Sequence, residues 1–292
     1  MTPDEYDYIR RFVKERSGLD LSADKQYLVE SRLLPLARRA GLDGIRGLIE
    51  KIRTGAPDIA ADLVEAMTTN ETFFFRDRIP FDLFSNAIMP MLTQARGERR
   101  AIRIWCAASS TGQEPYSLAM CIKEMGALLN GWRIEIVATD LSHGVLEKSK
   151  AGIYTQFEVQ RGLPIQLLVK YFKQVGDLWQ INPDIRAMVQ HRQLNLLHDF
   201  SHLGTFDLIF CRNVLIYFDQ ATKTRMLLRL ATAIEPDGVL ALGAAETVIG
   251  LSDVFKPWPQ RRGLYRLNVV AAPSLVPAAP PQAGAVLALR RR

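Results

Sequence analysis

The sequence predicts an α/β fold, in which a doubly wound open sheet follows a smaller all-helical domain. Residues 102–119 pass from an apolar, β-branched run through small and polar residues into a helix-forming run, the strand–loop–helix order of such a sheet. Further strand-like runs at 133–139, 206–211 and 239–242 alternate with helical patterns. Ligands bind at the carboxyl ends of the strands in these sheets, so the loop after the first strand is expected to border the binding site.

Composition divides the chain into three parts. With 292 residues, of which 48% are apolar, the chain can form one large domain and an appendage. We predict a helical domain with its linker over 1–75, an α/β domain over 76–270 and an Ala- and Pro-rich tail over 271–292, which we expect to be mobile. Short β-like runs between turn signals predict a small antiparallel insertion at 171–194. Such an insertion either binds a substrate or partner or covers the sheet.

The charge distribution argues against a nucleic-acid interface. The net charge is +6, but Lys256 to Arg292 contain seven basic residues and no acidic ones, so the rest of the chain sums to −1. The three cysteines lie in apolar runs without CxxC spacing, so we expect a reducing compartment and no metal site. No apolar stretch approaches the ~18 residues that span a bilayer. We therefore expect a cytoplasmic protein without membrane insertion, and a monomer by default.

The predicted helix over 25–40 carries a basic face. Arg32 and Arg39 stand seven residues apart and share one side of this helix, with Arg38 beside them. Pro35 either kinks the helix or starts a second one. The arginine face is either a solvated surface or a docking face for an acidic helical partner.

The segment that joins the two domains combines polar side chains with an aromatic block. Asn70, Thr72 and Arg76 stand on either side of three consecutive phenylalanines, Phe73 to Phe75. The block is either a hydrophobic hinge between the domains or a wall against an aromatic ligand. The polar neighbours favour the wall.

Two acidic residues indicate the kind of ligand. Asp140 ends the second predicted strand, where a carboxylate can accept hydrogen bonds from both hydroxyls of an adenosine ribose. The loop AASSTGQEP after the first strand has neither the GxGxxG spacing of dinucleotide sites nor a GxxxxGK[ST] phosphate loop. Glu114 in this loop would repel a pyrophosphate but attract a cationic amine, which favours S-adenosylmethionine over NAD or ATP. Alternatively, Glu114 is an acid that the helix macrodipole favours at a helix N-terminus.

The run FDLIFC at 206–211 predicts a strand whose carboxyl end faces the same crevice as the first strand. Arg212 and Asn213 follow it directly, and Tyr217 follows a few residues later. A tyrosine at this place can hold its phenol over the reactive centre.

Five motifs, in this order and spacing, resemble the CheR family of chemotaxis receptor methyltransferases: TTNETFFFR, AASSTGQEPYSLA, ATDLS, LNLL and FDLIFCRNVLIYF. The resemblance covers residues 5–268. It implies a class I, Rossmann-like methyltransferase fold with an N-terminal all-helical domain and an inserted β-subdomain. It also implies S-adenosylmethionine as methyl donor, S-adenosylhomocysteine as product, and glutamate side chains on the cytoplasmic helical region of chemoreceptors as acceptors.

The resemblance further implies a cofactor pocket and a catalytic pair. The implied cofactor residues are Asn70, Thr72 and Arg76 from the interdomain segment, Glu114 beside the methionine part, Asp140 at the ribose, Asn195 and Leu196 at the adenine, and Arg212 and Asn213, which complete the pocket. The implied catalytic pair, nearest the transferred methyl group, is Arg76 and Tyr217. The arginine face and the insertion are the implied receptor contacts.

The chain departs from the family pattern in two places. Family members often have an acid where this chain has Gln113, and a His-Ser pair where it has Ala244 and Ala245, before Glu246. The insertion is also short between Val175 and Leu178 compared with relatives that tether to a receptor peptide, which favours a tether-independent enzyme.

Two other functions stay open beside this one. One is a class I methyltransferase for a small molecule or RNA, although the chain lacks a long basic stripe with interleaved aromatic residues. The other is a non-catalytic signalling adaptor that binds S-adenosylmethionine. Retention of both Arg76 and Tyr217 argues against the adaptor.

Overall fold

The structure is a computed structural model that describes residues 1–268, so the predicted tail lies outside the described residues. The helices are α1 (Pro3–Ser17), α2 (Gln26–Arg39), α3 (Gly44–Arg53), α4 (Pro57–Met67), α5 (Ile79–Leu83), α6 (Met89–Ala95), α7 (Gln113–Glu124), α8 (His143–Ala151), α9 (Gln156–Gln160), α10 (Ile165–Tyr171), α11 (Pro183–Arg186) and α12 (Gln220–Thr232). The strands are β1 (Ala101–Ala107), β2 (Arg133–Asp140), β3 (Ile153–Thr155), β4 (Phe172–Val175), β5 (Leu178–Ile181), β6 (Val189–Gln193), β7 (Phe206–Cys211), β8 (Ile234–Leu242), β9 (Phe255–Pro257) and β10 (Leu264–Leu267).

Helices α1 to α4 pack their apolar faces together and form the N-terminal domain. Thr2 and Glu5 form a capping box at the start of α1, which satisfies backbone donors of the first turn. The helix α2 continues through Pro35 as one element. The core of this domain includes fully buried aliphatic side chains, namely Ile9, Val13, Val29, Leu33, Leu48 and Leu63.

Arg32 joins α2 to the end of α4. Its guanidinium donates to the carbonyl oxygens of Met67 at 2.6 Å and Thr68 at 2.8 Å, and to Thr69 Oγ1 at 3.0 Å. These bonds satisfy carbonyls at a helix C-terminus that have no partner within the helix. The Arg32 guanidinium is therefore hydrogen-bonded within the N-terminal domain, whereas the Arg38 side chain is exposed.

The second domain is built on a seven-stranded sheet in the order β6-β2-β1-β7-β8-β10-β9. The first five strands in this order are parallel, and β10 is antiparallel to both of its neighbours. Strand β1 lies at the centre of the five parallel strands, and apolar clusters cover both faces of the sheet. Because a parallel strand with two covered faces has no solvent side, β1 reads as a nearly continuous apolar run. This arrangement confirms the predicted fold class.

The insertion forms a separate antiparallel sheet in the order β3-β5-β4. Its strands differ from the predicted ones. The run Val189–Gln193, predicted as part of the insertion, pairs in parallel with β2 as the edge strand of the main sheet. The third strand of the small sheet is instead Ile153–Thr155, which lies before residue 171. Residues 189–193 instead pair with the otherwise free backbone edge of β2, from Ile136 to Asp140.

The helical stretch before β1 is not one continuous α-helix. A π-helical segment, Phe84–Ile88, separates α5 from α6. Pro90, at the start of α6, has no N–H to donate to the preceding turn, so the regular ladder is interrupted there. Within residues 1–268, no helix is both long and apolar enough to cross a membrane.

Candidate active site

The carboxyl ends of β1, β2 and β7 meet in a cleft, and the N-terminal domain and the interdomain segment line its other side. The cleft encloses about 990 Å³ of free space, part of it open to solvent. All the residues predicted for the cofactor pocket and the catalytic pair line it, namely Asn70, Thr72, Arg76, Glu114, Asp140, Asn195, Leu196, Arg212, Asn213 and Tyr217.

The loop after β1 is a tight turn with left-handed residues. Ala108, Ser110 and Gly112 have φ angles of 59°, 52° and 94°. A Cβ atom on Gly112 would lie 2.1 Å from Ser149 Oγ, so only glycine fits between the loop and α8. The turn keeps the backbone of Ala108 to Ser110 at the wall of the cleft.

Asp140 is buried at the end of β2 and is held by the backbone. Its Oδ2 accepts a hydrogen bond from Ser110 N at 2.8 Å, and its Oδ1 accepts one from Ser142 N at 3.0 Å. Burial raises the pKa of Asp140, and the backbone N–H donors oppose that shift. A carboxylate has about four acceptor positions, so Asp140 retains capacity for two further donors.

Glu114 and Arg212 form a buried ion pair on the floor of the cleft. Arg212 Nη1 donates to Glu114 Oε2 at 2.8 Å. Burial raises the pKa of Glu114, and the charge of Arg212 opposes that shift. The other end of the guanidinium reaches the interdomain segment, where Nη2 donates to the Arg76 carbonyl at 2.9 Å and to Asp77 Oδ2 at 2.7 Å. Arg212 therefore joins α7, β7 and the segment that carries Arg76.

The interdomain segment is strained where it passes the cleft. Phe75, Asp77 and Arg78 have φ angles of 52°, 69° and 50°, in the left-handed region that non-glycine residues rarely adopt. Strain of this kind persists only where tertiary contacts hold it. The contacts here are the bonds from Arg212 and the bond from Phe75 N to Ser117 Oγ at 3.0 Å.

The three phenylalanines of this segment point away from the cleft, so their interpretation as a wall against the ligand is wrong. Phe74 is fully buried and meets the rings of Tyr154 and Phe172 at 5.0 and 5.6 Å. Phe75 packs on Phe81 at 5.2 Å, and Arg161 lies 4.4 Å over the ring of Phe73. Consecutive side chains of an irregular segment face different neighbours. The three phenylalanine side chains therefore anchor the segment to the second domain.

Glu246 supports the end of β7 and was not among the predicted site residues. Its Oε2 accepts from Asn213 N at 2.8 Å and from Gly243 N at 2.7 Å, and its Oε1 accepts from Val214 N at 2.9 Å. Asn213 has a φ of 58°, so this carboxylate holds a left-handed turn beside the cleft. An acid four residues after the apolar end of β8, separated from it only by Gly243 and two alanines, was the available signal for this role.

The N-terminal domain contributes to the cleft at points that no local pattern indicates. Ser17 and Leu19, at and beyond the end of α1, line the cleft. The side-chain amide of Asn195 donates to the Arg16 carbonyl at 2.6 Å, so one predicted adenine contact also anchors α1.

The polar groups of the cleft fit the cofactor that the sequence implies. Within residues 1–268, two buried side-chain atoms lack a hydrogen-bond partner, Ser109 Oγ and Arg212 Nε, and both residues line the cleft. Buried polar atoms without a partner are rare, so a polar ligand at this place would satisfy them. Carboxylates at Glu114 and Asp140 suit an amine and a ribose diol, and neither suits a pyrophosphate.

A doubly wound sheet, an acid at the end of β2 and a cleft without a phosphate loop define a class I methyltransferase that uses S-adenosylmethionine. Comparison with known proteins identifies the family. Residues 70–264 match the family model described as "CheR methyltransferase, SAM binding domain", and residues 4–68 match "CheR methyltransferase, all-alpha domain". The chain belongs to the CheR methyltransferase family.

Named relatives agree with this assignment. The chain is 42% identical over 258 residues to chemotaxis protein methyltransferase 1 of Pseudomonas aeruginosa, covering 86% of this chain and 93% of the relative. It is 40% identical over 256 residues to chemotaxis protein methyltransferase 1 of Vibrio cholerae, covering 86% and 92%. It is 36% identical over 256 residues to a chemotaxis protein methyltransferase of Borreliella burgdorferi, covering 86% and 90%. The protein is therefore an S-adenosylmethionine-dependent methyltransferase of chemotaxis.

Proposed function

We propose that this protein transfers the methyl group of S-adenosylmethionine to glutamate side chains on the cytoplasmic helical region of chemoreceptors. The products are glutamyl methyl esters and S-adenosylhomocysteine, and the role is sensory adaptation. One observation carries this proposal: Arg76 and Tyr217 share one cleft with the eight other predicted cofactor residues. The names of the relatives support the receptor as the target.

The cofactor is held by groups of matching chemistry. Asp140 accepts from the ribose hydroxyls, and the Glu114 carboxylate attracts the amine of the methionine part. Asn195 and Leu196 flank the adenine, with Leu196 as a buried apolar contact. Asn213 and the other residues of the cleft complete the pocket.

The acceptor needs no general base. The unperturbed pKa of a glutamate is about 4.3, so its carboxylate is already a nucleophile at neutral pH. Bound S-adenosylmethionine supplies a methyl group on a sulfonium sulfur. The acceptor oxygen forms the new bond to carbon while the carbon–sulfur bond breaks, and the sulfur keeps that electron pair. The protein contributes by positioning the carboxylate for this displacement.

Arg76 and Tyr217 are suited to hold the acceptor. Arg76 uses one N–H on the Glu71 carbonyl at 2.8 Å, which leaves other guanidinium donors free. Tyr217 lines the cleft, and among the described residues its backbone, and not its hydroxyl, takes part in hydrogen bonds. A cation and a phenol together bind a carboxylate through charge-assisted hydrogen bonds.

The receptor surface is part of the same proposal. Arg38 and Arg39 are both exposed. They fit an acidic helical partner, with the small antiparallel sheet as a second contact. A receptor substrate with a cytoplasmic helical region also fits the cytoplasmic location expected from the sequence. We propose that the active species is a monomer.

The test is incubation with labelled S-adenosylmethionine and membranes that carry chemoreceptors. We expect base-labile label on the receptor, as methyl esters require, and a loss of turnover on the order of 10²-fold in Arg76→Ala and Tyr217→Phe. The exposed ion pair between Arg46 and Glu50 provides a control, because Arg46→Gln should keep the wild-type methylation rate. Base-stable label would identify another acceptor. Cofactor binding without transfer would identify the protein as an adaptor.

A further inference from the structure

The loop that follows α1 is bound to the backbone around Tyr217. Asp20 N donates to the Tyr217 carbonyl at 2.8 Å, and Leu19 forms an antiparallel bridge with Phe218. Lys14 reaches the next residue, with its Nζ 2.8 Å from Asp219 Oδ2. These contacts join the N-terminal domain to the turn that carries the proposed catalytic phenol.

Lys14 also secures the loop itself. Its Nζ lies 3.0 Å from Asp20 Oδ1, so one ammonium joins Asp20, which donates to the Tyr217 carbonyl, to Asp219, which follows Tyr217 by two residues. The hydrogen bond from Lys14 lowers the pKa of Asp219, and the pair is therefore ionised at neutral pH. Asp219 also accepts from Thr222 N at 2.8 Å as the N-cap of α12, which fixes its position.

Close packing leaves the loop little freedom. Gly18 has a φ of 80°, and a Cβ atom there would lie 2.9 Å from the ring of Phe218. The loop and the turn therefore fit together only with glycine at this position.

The turn needs such support because it belongs to no strand. Tyr217 ends a short 3₁₀ segment, Leu215–Tyr217, between β7 and α12. On its N-terminal side, Glu246 accepts from Val214 N at 2.9 Å and from Ile216 N at 3.3 Å. On its C-terminal side, the support comes from the loop after α1 and from Lys14.

We propose that Lys14 is a positioning residue for methyl transfer, which acts by holding the backbone of Tyr217 through Asp20 and Asp219. The N-terminal domain is thereby part of the catalytic centre as well as a candidate receptor contact. This inference rests on the proposed role of Tyr217.

The first test compares Lys14→Met with Arg11→Met, which removes a charge from an exposed position of the same helix. We expect Lys14→Met to lower kcat on the order of tenfold and to leave the KM for S-adenosylmethionine within about twofold, because the misplaced phenol affects the transition state. Arg11→Met should keep the wild-type kcat. Lys14→Arg, which keeps the positive charge, should retain most of the wild-type kcat. An unchanged kcat in Lys14→Met, or an equal loss in Arg11→Met, would overturn the proposal.

The second test is a double-mutant cycle with Tyr217→Phe. If Lys14 acts through the phenol, Lys14→Met should lower kcat by less than about twofold in the Tyr217→Phe background. Asp219→Asn serves as a second variant, because asparagine keeps the N-cap of α12 but loses the charge that Lys14 meets. Asp219→Asn should lower kcat as much as Lys14→Met does, and its effect should likewise be non-additive with that of Tyr217→Phe. This second variant tests the proposal even if Lys14→Met folds poorly.

The outcomes separate this inference from the proposed function. Independent, multiplicative losses from Lys14→Met and Tyr217→Phe would overturn the positioning role and leave the proposed function intact. A full methylation rate in Tyr217→Phe alone would overturn both the role of Tyr217 and the inference that depends on it.

Discussion

The guanidinium of Arg212 donates to Glu114 at 2.8 Å across the floor of the cleft, and both side chains are buried. The same guanidinium donates to the Arg76 carbonyl and to Asp77. One arginine thus pairs with one oxygen of the acid at the start of α7 and also holds the strained segment that carries the proposed catalytic Arg76. The proposed cofactor and acceptor ends of the cleft therefore depend on the same side chain.

Removing this arginine should destabilise the whole protein. We expect Arg212→Met to lower the free energy of unfolding by about 3–5 kcal/mol, because a buried carboxylate without its partner is strongly unfavourable. Replacing both partners, as in Arg212→Met with Glu114→Leu, should recover much of that loss. Urea unfolding measures both changes. Equal stability of the single and the double variant would contradict the ion pair as the cause.

Asp140→Asn should weaken cofactor binding more than it weakens the fold. The asparagine amide replaces one oxygen that accepts a backbone N–H and that we expect to meet the ribose. Hydrogen bonds to charged groups contribute about 1.5–3 kcal/mol, so the Kd for S-adenosylhomocysteine should rise about 10- to 100-fold by calorimetry. Asp199→Asn is a matched control, because Asp199 also accepts from a backbone N–H, that of Ser201, but lies outside the cleft. An equal rise in both variants would argue against a specific ribose contact.

Local patterns were sufficient to predict the main elements of the cleft. The strand–loop–helix order around β1 and the acid at the end of β2 are each visible within one short stretch of the sequence. The motif resemblance then supplied the roles of Asn195 and Leu196 at the adenine, and the structure places both at the same cleft.

Long-range pairing explains what the sequence did not predict. Strand β3 has three residues and pairs with β5, which begins more than twenty residues later, so its short run carries no signal of its own. The partners of Arg212 lie 98 and 135 residues away in the chain. Ser17 and Leu19 reach the cleft from the other domain, and only the packed structure brings them there.

The opposite end of the sheet should govern stability without affecting the cofactor. Asp207, at the start of β7, is fully buried and accepts from Arg96 at 2.7 Å, from Arg99 at 2.5 Å and from the backbone N–H of Arg103 at 2.7 Å. Asp207→Ala should therefore lower the free energy of unfolding by about 3–5 kcal/mol in urea.

The folded fraction of Asp207→Ala should bind S-adenosylhomocysteine with the wild-type Kd. The exposed pair of Arg46 and Glu50 gives the contrast, because Arg46→Gln should change stability by no more than about 0.5 kcal/mol. A weakened Kd in Asp207→Ala would show that the two ends of the sheet are coupled.

His191 should make stability fall as the solution is acidified. Its Nε2 lies 2.7 Å from Ser149 Oγ, and burial lowers its pKa to about 4, with Lys150 acting in the same direction and Glu147 opposing. An unfolded histidine has a pKa near 6.5, so between these values the unfolded chain binds more protons than the folded protein. The stability contributed by neutral His191 is therefore complete above pH 6.5 and is lost as the pH falls toward 4.

The size of this effect is set by the partial exposure of the ring, which screens its charge. We expect a loss of about 1 kcal/mol between pH 7 and pH 5 that is absent in His191→Gln, whose amide can still bond to Ser149. His143→Gln is the control, because its side chain is 65% exposed and should leave the wild-type pH dependence in place. Urea midpoints of the three proteins at both pH values decide the matter. If His191→Gln loses as much stability as the wild type, another group titrates in this range.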